Sequence, residues 1–251
     1  MALVWSDKLD GTSYEVKTAG STVRLYTDGV FHSQYNARTR ISGGVWDLLM
    51  LPAFFHASDS IKRILVLGVG GGAVMRMFLE HLDPDVIVGV ELDPTHITIA
   101  RNYFGLKDKR IQLLQHDAIQ WMKNYKGPAF DLIVEDLFGE EDGEPVRAVT
   151  PDCEWTRLLS GHLSDKGMII SNFLTRKEIC RSGYEKNCKG QKKFESAWLL
   201  TDSRYENKIA VYSRLITSRM QLMERLSLAS LNNPAFRKSI QNFSVKRLRC
   251  S

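Results

Sequence analysis

No apolar run in this 251-residue chain approaches the roughly 20 residues that a helix needs to cross a bilayer. Cysteine is scarce: Cys153, Cys180, Cys188 and Cys250 form no C-x-x-C pair. The six histidines do not fall beside them at zinc-ligand spacing. These absences argue against a metal site and leave four free thiols in a reducing compartment as the expectation. The opening Met-Ala-Leu-Val-Trp-Ser-Asp-Lys carries an acid early and lacks the apolar core of a signal peptide, so a cytoplasmic location is expected. Internal repeats and low-complexity linkers are missing. Charge of one sign is in small excess, and a net charge of +5 permits an anionic partner without demanding one.

What is present is a regular alternation. Residues 12–35 read as a β-ribbon with turns at Ala19-Gly20 and Asp28-Gly29. Residues 43–56 suit a helix that Pro52 should kink or divide. Strands are then predicted at 61–67, 86–91, 111–115, 131–135 and 168–172, interleaved with helices at 73–81, 94–104, 118–124 and 151–163. Alternating βα units imply a parallel sheet with helices on both faces. Two strand-like runs, 194–200 and 208–213, then form a hairpin, and 217–231 suit a helix before a basic end. The fold class is therefore α/β, a doubly wound Rossmann-like sheet ending in an antiparallel hairpin, which resembles the class I methyltransferase fold. Three units are expected: a small N-terminal β-ribbon domain (1–42), a nucleoside-binding domain (43–216) and a C-terminal helical, basic extension (217–251).

Three carboxylates follow successive apolar runs: Glu91, Asp117 and Asp136. In an open α/β sheet such groups converge outside the carboxyl ends of the strands. Ahead of them, Gly68-Val-Gly70-Gly71-Gly72-Ala73 satisfies G-x-G-x-x-G/A, where glycines allow a tight turn and close backbone approach to a ligand. Glu91 lies where a carboxylate accepts from ribose hydroxyls. Loop and Glu91 alone fit either NAD or an adenosyl sulfonium compound. Asp117 can accept from an adenine amino group or cap the helix that starts at Ala118. Asp136 ends its strand over the reacting end of a ligand lying across the sheet. Its neighbour Glu135 should point the other way, toward the surface or a helix.

With these residues the chain resembles the spermidine synthase family of aminopropyltransferases, within the class I S-adenosylmethionine-dependent methyltransferase superfamily, over roughly residues 12–172. Leu25-Tyr-Thr-Asp28-Gly29-Val30 with Gln34 is similar to the family's L-D-G-x-x-Q segment. The glycine loop stands in place of G-G-G-D-G-G, and Val90-Glu91-Leu92-Asp93 in place of V-E-I-D. Asp117-Ala118 matches D-A, and Phe130-Asp131-Leu-Ile-Val-Glu-Asp136 matches Y-D-V-I-I-x-D. The resemblance implies that Gln34, Gly68, Gly70, Gly71, Gly72, Glu91, Leu92, Asp117 and Ala118 hold the donor, and that Asp136 corresponds to the catalytic aspartate.

The chain departs from the family where donor tail and acceptor are held. The loop aspartate that helps hold the aminopropyl chain is replaced by Gly71, and the family's Y-H-E reads Val45-Trp46-Asp47. D-S-S-D-P reads Asp136-Leu137-Phe138-Gly139-Glu140. Trp46, Asp47, Phe138 and Glu140 are thus the candidate acceptor-binding residues, with Trp155 and Phe173 as further candidates for an aromatic wall. The acidic run 139–145 is either a solvated loop or a gate that attracts a cationic acceptor. The expectation is a transferase using S-adenosylmethionine or its decarboxylated form. Methyl transfer is slightly favoured because of Gly71, polyamine aminopropyl transfer is the alternative, and a non-catalytic nucleoside- or polyamine-binding protein is a third reading. The expected partner is a small, amine-bearing acceptor, with neither membrane nor nucleic acid. The ribbon pairs subunits in the resembled family, which implies a homodimer, and the basic end is read as a solvated helix face or a mobile tail.

Overall fold

The computed structural model describes residues 1–141, 144–186 and 188–250, with the backbone alone at 140, 141, 144 and 145. The chain opens with four antiparallel strands paired in chain order: β1 (Ala2–Leu9), β2 (Thr12–Ala19), β3 (Thr22–Thr27) and β4 (Val30–Asn36). Asp28 and Gly29 join β3 to β4 with φ of 48° and 83°, the two-residue geometry that matches strand twist. Tyr14, Val16, Leu25 and Tyr35 turn inward and join the main core. β1 is an edge strand with Leu3, Val4 and Leu9 exposed, so its sequence carries no alternation to betray it.

Helix α1 (Trp46–Met50) runs into a 3-10 turn, Leu51–Phe55, and Pro52 sits in that turn's first positions. Pro52 thus divides the helical stretch, because it has no N–H to continue the α ladder. The alternating units follow: β5 (Arg63–Leu67), α2 (Ala73–His81), β6 (Val86–Glu91), α3 (Pro94–Asn102), β7 (Ile111–Gln115), α4 (Ala118–Asn124) and β8 (Phe130–Glu135). The acidic run falls on a separate hairpin, β9 (Phe138–Glu141) and β10 (Glu144–Arg147), whose Asp142 and Gly143 lie outside the described residues. Then come α5 (Cys153–Gly161), β11 (Leu163–Phe173), α6 (Arg176–Arg181), β12 (Ser196–Asp202) and β13 (Lys208–Ser213). The chain finishes with α7 (Arg219–Ala229), α8 (Pro234–Ser239) and β14 (Phe243–Arg247).

The main sheet has the order β14-β12-β13-β11-β8-β5-β6-β7. It is parallel from β11 to β7 and antiparallel where β13, β12 and β14 join. Both faces are covered, so the central strands read as continuous apolar runs. Ile64, Val66, Leu132 and Val134 pack in one core with α1, α2 and α7. Leu65, Leu67 and Ile133 pack on the other face with Met122 of α4, Leu159 of α5 and Ile179 of α6. None of the described helices is long and apolar enough to cross a membrane.

Two expectations are corrected here. The cysteines are paired, Cys153 with Cys188 and Cys180 with Cys250, and no free cysteine remains. Separations of 35 and 70 residues hide these pairs from any spacing rule, and tertiary folding alone brings them together. The basic end is a solvated helix face only in part: Arg237 and Lys238 are exposed on α8, whereas the segment after it is a strand and not a mobile tail. Phe236 and Val245 are buried, and β14 adds to the sheet beside β12 while its Lys246 and Arg247 face solvent.

Candidate active site

Strand order reverses between β5 and β8, and a cavity of about 720 Å³ opens at the carboxyl ends of the strands there. That volume is within the range of ordinary small-molecule pockets. The glycine loop leaves β5 directly against the end of β8. Gly68 has φ of 82°, and a Cβ there would stand 2.1 Å from the Asp136 carbonyl oxygen. Only glycine lets the two strand ends close together, which keeps Asp136 at the loop.

Glu91, at the end of β6, ties the loop down. One of its oxygens accepts from the Val69 and Gly70 N–H groups, each at 2.8 Å, and the other accepts from Asp93 N–H at 3.0 Å. Burial raises its pKa, but hydrogen bonding and charge from His96, with the backbone donors, outweigh that and hold it at about 2. Glu91 is therefore a fixed anion at neutral pH. The two loop N–H groups it engages are thereby satisfied by the protein's own carboxylate.

Asp136 stands differently. Its carboxylate accepts from the Asn172 side-chain amide at 2.8 Å. Burial pushes its pKa up to about 6, with Glu135 adding to the rise, against the Asn172 hydrogen bond and Arg147. Such a group is ionised at neutral pH yet close enough to its pKa to take a proton. Glu135 does point to the opposite face, but not to the surface: it is fully buried and pairs with Arg147. Burial raises its pKa while Arg147 opposes the rise. Arg147 also donates to the Asn172 carbonyl, so β10 is anchored to the residue that holds Asp136.

Among the sequence-proposed donor residues, Gln34, Gly68, Gly70, Glu91, Leu92, Asp117 and Ala118 line this one cavity together with Asp136. Asp117 caps α4 as well, accepting from Gln120 N–H at 2.8 Å. Gly71 and Gly72 are buried behind the loop and do not line it. At Gly71 a Cβ would meet the Phe104 ring at 2.7 Å and the Ser33 Cβ at 2.8 Å, so the loop has no room there for an acidic side chain. Of the acceptor candidates, Trp46 and Phe138 line the cavity. Asp47 does not. It is buried, and its carboxylate is taken up by the Ser42 N–H and hydroxyl, the Gly43 N–H and the Ser239 hydroxyl. Glu140 lies on β9, but its side chain is outside the described residues. Trp155 and Phe173 are buried in the far core.

Several lining residues escaped sequence reasoning. Counted from Asp28, the glutamine of D-G-x-x-Q falls on His32, two residues before Gln34 on the same strand face. Burial and the nearby His96 lower its pKa to about 4, so it is neutral. His96 bridges the ribbon and the site, bonding the Thr27 hydroxyl at 2.8 Å beside Glu91. Asn172 could have been found, because it lies near the end of β11, the neighbour of the strand that leads into Asp136. The turn after β12 supplies Arg204, Tyr205 and Asn207, and Asn207 donates to the Asn172 side chain at 3.0 Å.

Comparison with known proteins bears on this arrangement. Polyamine aminopropyltransferase 2 of Caldanaerobacter subterraneus subsp. tengcongensis is 29% identical over 138 residues, which are 54% of this chain and 44% of that protein. The matched stretch thus spans under half of the relative. A probable spermidine synthase from Corynebacterium glutamicum shares the fold with a TM-score of 0.72 and 17% identity, over 98% of this chain and 91% of its own. Human methyltransferase-like protein 13, solved in complex with SAH, does so with a TM-score of 0.61 and 17% identity, over 76% and 91%. The spermine/spermidine synthase domain model matches residues 47–209, a stretch from α1 to β13 that includes the glycine loop, Glu91, Asp117 and Asp136. By that match the chain belongs to the spermine/spermidine synthase family.

Proposed function

We propose that this protein transfers an aminopropyl group from decarboxylated S-adenosylmethionine to an amine. The observation that carries the reading is Asp136, a carboxylate of pKa about 6 held by Asn172 in the cavity that Glu91 and Asp117 also line. Family membership and the named aminopropyltransferase relative support this over the methyl transfer favoured from the sequence. When bound, the donor supplies a sulfonium-bearing carbon whose bond to sulfur breaks as the amine nitrogen attacks, leaving a neutral thioether.

The chain's own residues have three tasks. Asp117 and Ala118 receive the adenine end, and Glu91 faces the ribose while holding the loop in shape. Asp136 orients the acceptor amine and takes its proton, a contribution of about 10²–10⁴-fold for a well-placed base. Trp46 and Phe138 provide apolar walls that hold the acceptor in line.

Methyl transfer from intact S-adenosylmethionine is the second reading, and Gly71 favours it, since the loop cannot place a carboxylate at that point. Calorimetry and product analysis with the two donors side by side separate the readings. The expected result is tighter binding of the decarboxylated donor and release of methylthioadenosine. A methylated product formed only from the intact donor would replace the first reading by the second. Two disulfides replace the four free thiols from which a reducing compartment was expected.

A further inference from the structure

Arg24 lines the cavity from β3 beside Phe31, Gln34 and Gly43. Its Nε donates to the Gln34 side-chain oxygen at 2.5 Å, and Gln34 is fixed in turn by donating to the Ser42 carbonyl at 2.6 Å. The guanidinium stands 5.9 Å from the centre of the Phe31 ring, which meets Trp46 edge-on at 5.0 Å. The other lining arginine, Arg204, is neutralised through a two-pronged contact with Asp202, at 3.0 and 2.6 Å. Arg24 has no carboxylate partner among the described residues. Beyond Gln34, the further hydrogen bond of its side chain among the described residues is to the Met1 sulfur, a weak acceptor.

A guanidinium presents five donors in a planar fork that matches a carboxylate. Here the fork is pinned in place, stands against an aromatic wall, and keeps donors to spare. The same rim continues toward Asp136: the Tyr205 hydroxyl donates to the Gly43 carbonyl at 3.4 Å, and Asn207 reaches Asn172 and through it Asp136. We infer that the cavity binds a carboxylate of its small-molecule ligand at Arg24, so that one of the two reactants is an α-amino acid rather than a bare amine. The inference rests on the sulfonium-transfer reading and deepens it. The carboxylate belongs either to the acceptor, as in a diamino acid, which keeps the decarboxylated donor of the first reading, or to the methionine end of the intact donor, which is the donor of the second reading.

Calorimetry on the full chain distinguishes these sources. S-adenosylmethionine is compared with its decarboxylated form, and ornithine with putrescine in the presence of methylthioadenosine, for wild type, Arg24→Gln and Arg24→Lys. In one pair the carboxylated member is expected to bind wild type roughly 10–100-fold tighter, the range for hydrogen bonds to a charged group. Arg24→Gln should erase that preference and leave the decarboxylated twin within about twofold, and Arg24→Lys should restore part of it. No carboxylate preference in either pair, or one that survives Arg24→Gln, overturns the inference. If Arg24→Gln does not fold, a preference undiminished in Arg24→Lys, which lacks the fork, overturns it as well. Failure of wild type to bind either donor is a separate result, and it sinks the transfer reading together with this one.

Discussion

Replacing Asp136 by asparagine should cost turnover and add stability, and the gain should depend on pH. In the folded protein the Asp136 carboxyl is raised from 3.8 to about 6. A shift of about two units corresponds to roughly 3 kcal/mol of cost for keeping the group ionised in the native state. A raised acid pKa stabilises the fold below the unfolded value, near 4, and that contribution is lost as pH rises through about 6. At pH 7.5 wild type therefore carries the full cost. Asparagine carries none of it, but its amide needs a new partner, at roughly 1 kcal/mol. The net gain is about 2 kcal/mol, or roughly 4–8 °C in Tm for a chain of this size. Denaturant titrations at pH 7.5 and pH 5 measure it, and the difference between variant and wild type should shrink at the lower pH. Turnover should fall by about 10²–10⁴-fold while donor affinity holds. A variant no more stable than wild type at pH 7.5, or a difference identical at both pH values, would refute the argument.

Other consequences are open to simpler checks. Arg147→Met leaves Glu135 buried without its cation and should destabilise the fold by about 3–5 kcal/mol, read from thermal melts. Gly71→Asp, which restores the family residue, should lower stability by roughly 1–3 kcal/mol through overpacking against Phe104 and Ser33. Tighter binding of decarboxylated S-adenosylmethionine by that variant would contradict the packing. Cys188→Ser opens a loop of 35-residue separation, worth about 4 kcal/mol in the chain-entropy account, so its Tm should fall and lose part of its sensitivity to reductant. Finally, kcat/KM should rise with pH through about 6 as Asp136 loses its proton, and a profile flat from pH 5 to 8 would remove it as the base.

Much of the frame is written locally. Helices α2 and α4 and strands β6, β7 and β13 fall where apolar period and turn residues place them. Each is specified by neighbours within a few positions, and the covered faces of a parallel sheet demand the apolar runs. The three acids were legible for a related reason. Strand ends in an α/β sheet face one crevice, so a carboxylate after each run is a statement about place as well as type.

Chemistry at a distance was not legible. Asp47 and Asp136 are the same residue type, yet one is spent on Ser42 and Ser239 while the other faces the cavity. Strand alternation turns Glu135 toward the surface or a helix, and only the fold shows Arg147, twelve positions later, meeting it inside the core. The cysteine pairs and the placing of β14 beside β12 likewise join segments far apart in the chain. Sequence alone determined the alternating sheet, the glycine loop and the acids at its rim, because those follow from local period and handedness. Only the tertiary structure decided which polar groups are consumed by the fold and which stay free to react, because burial and partnership belong to contacts between residues remote in sequence.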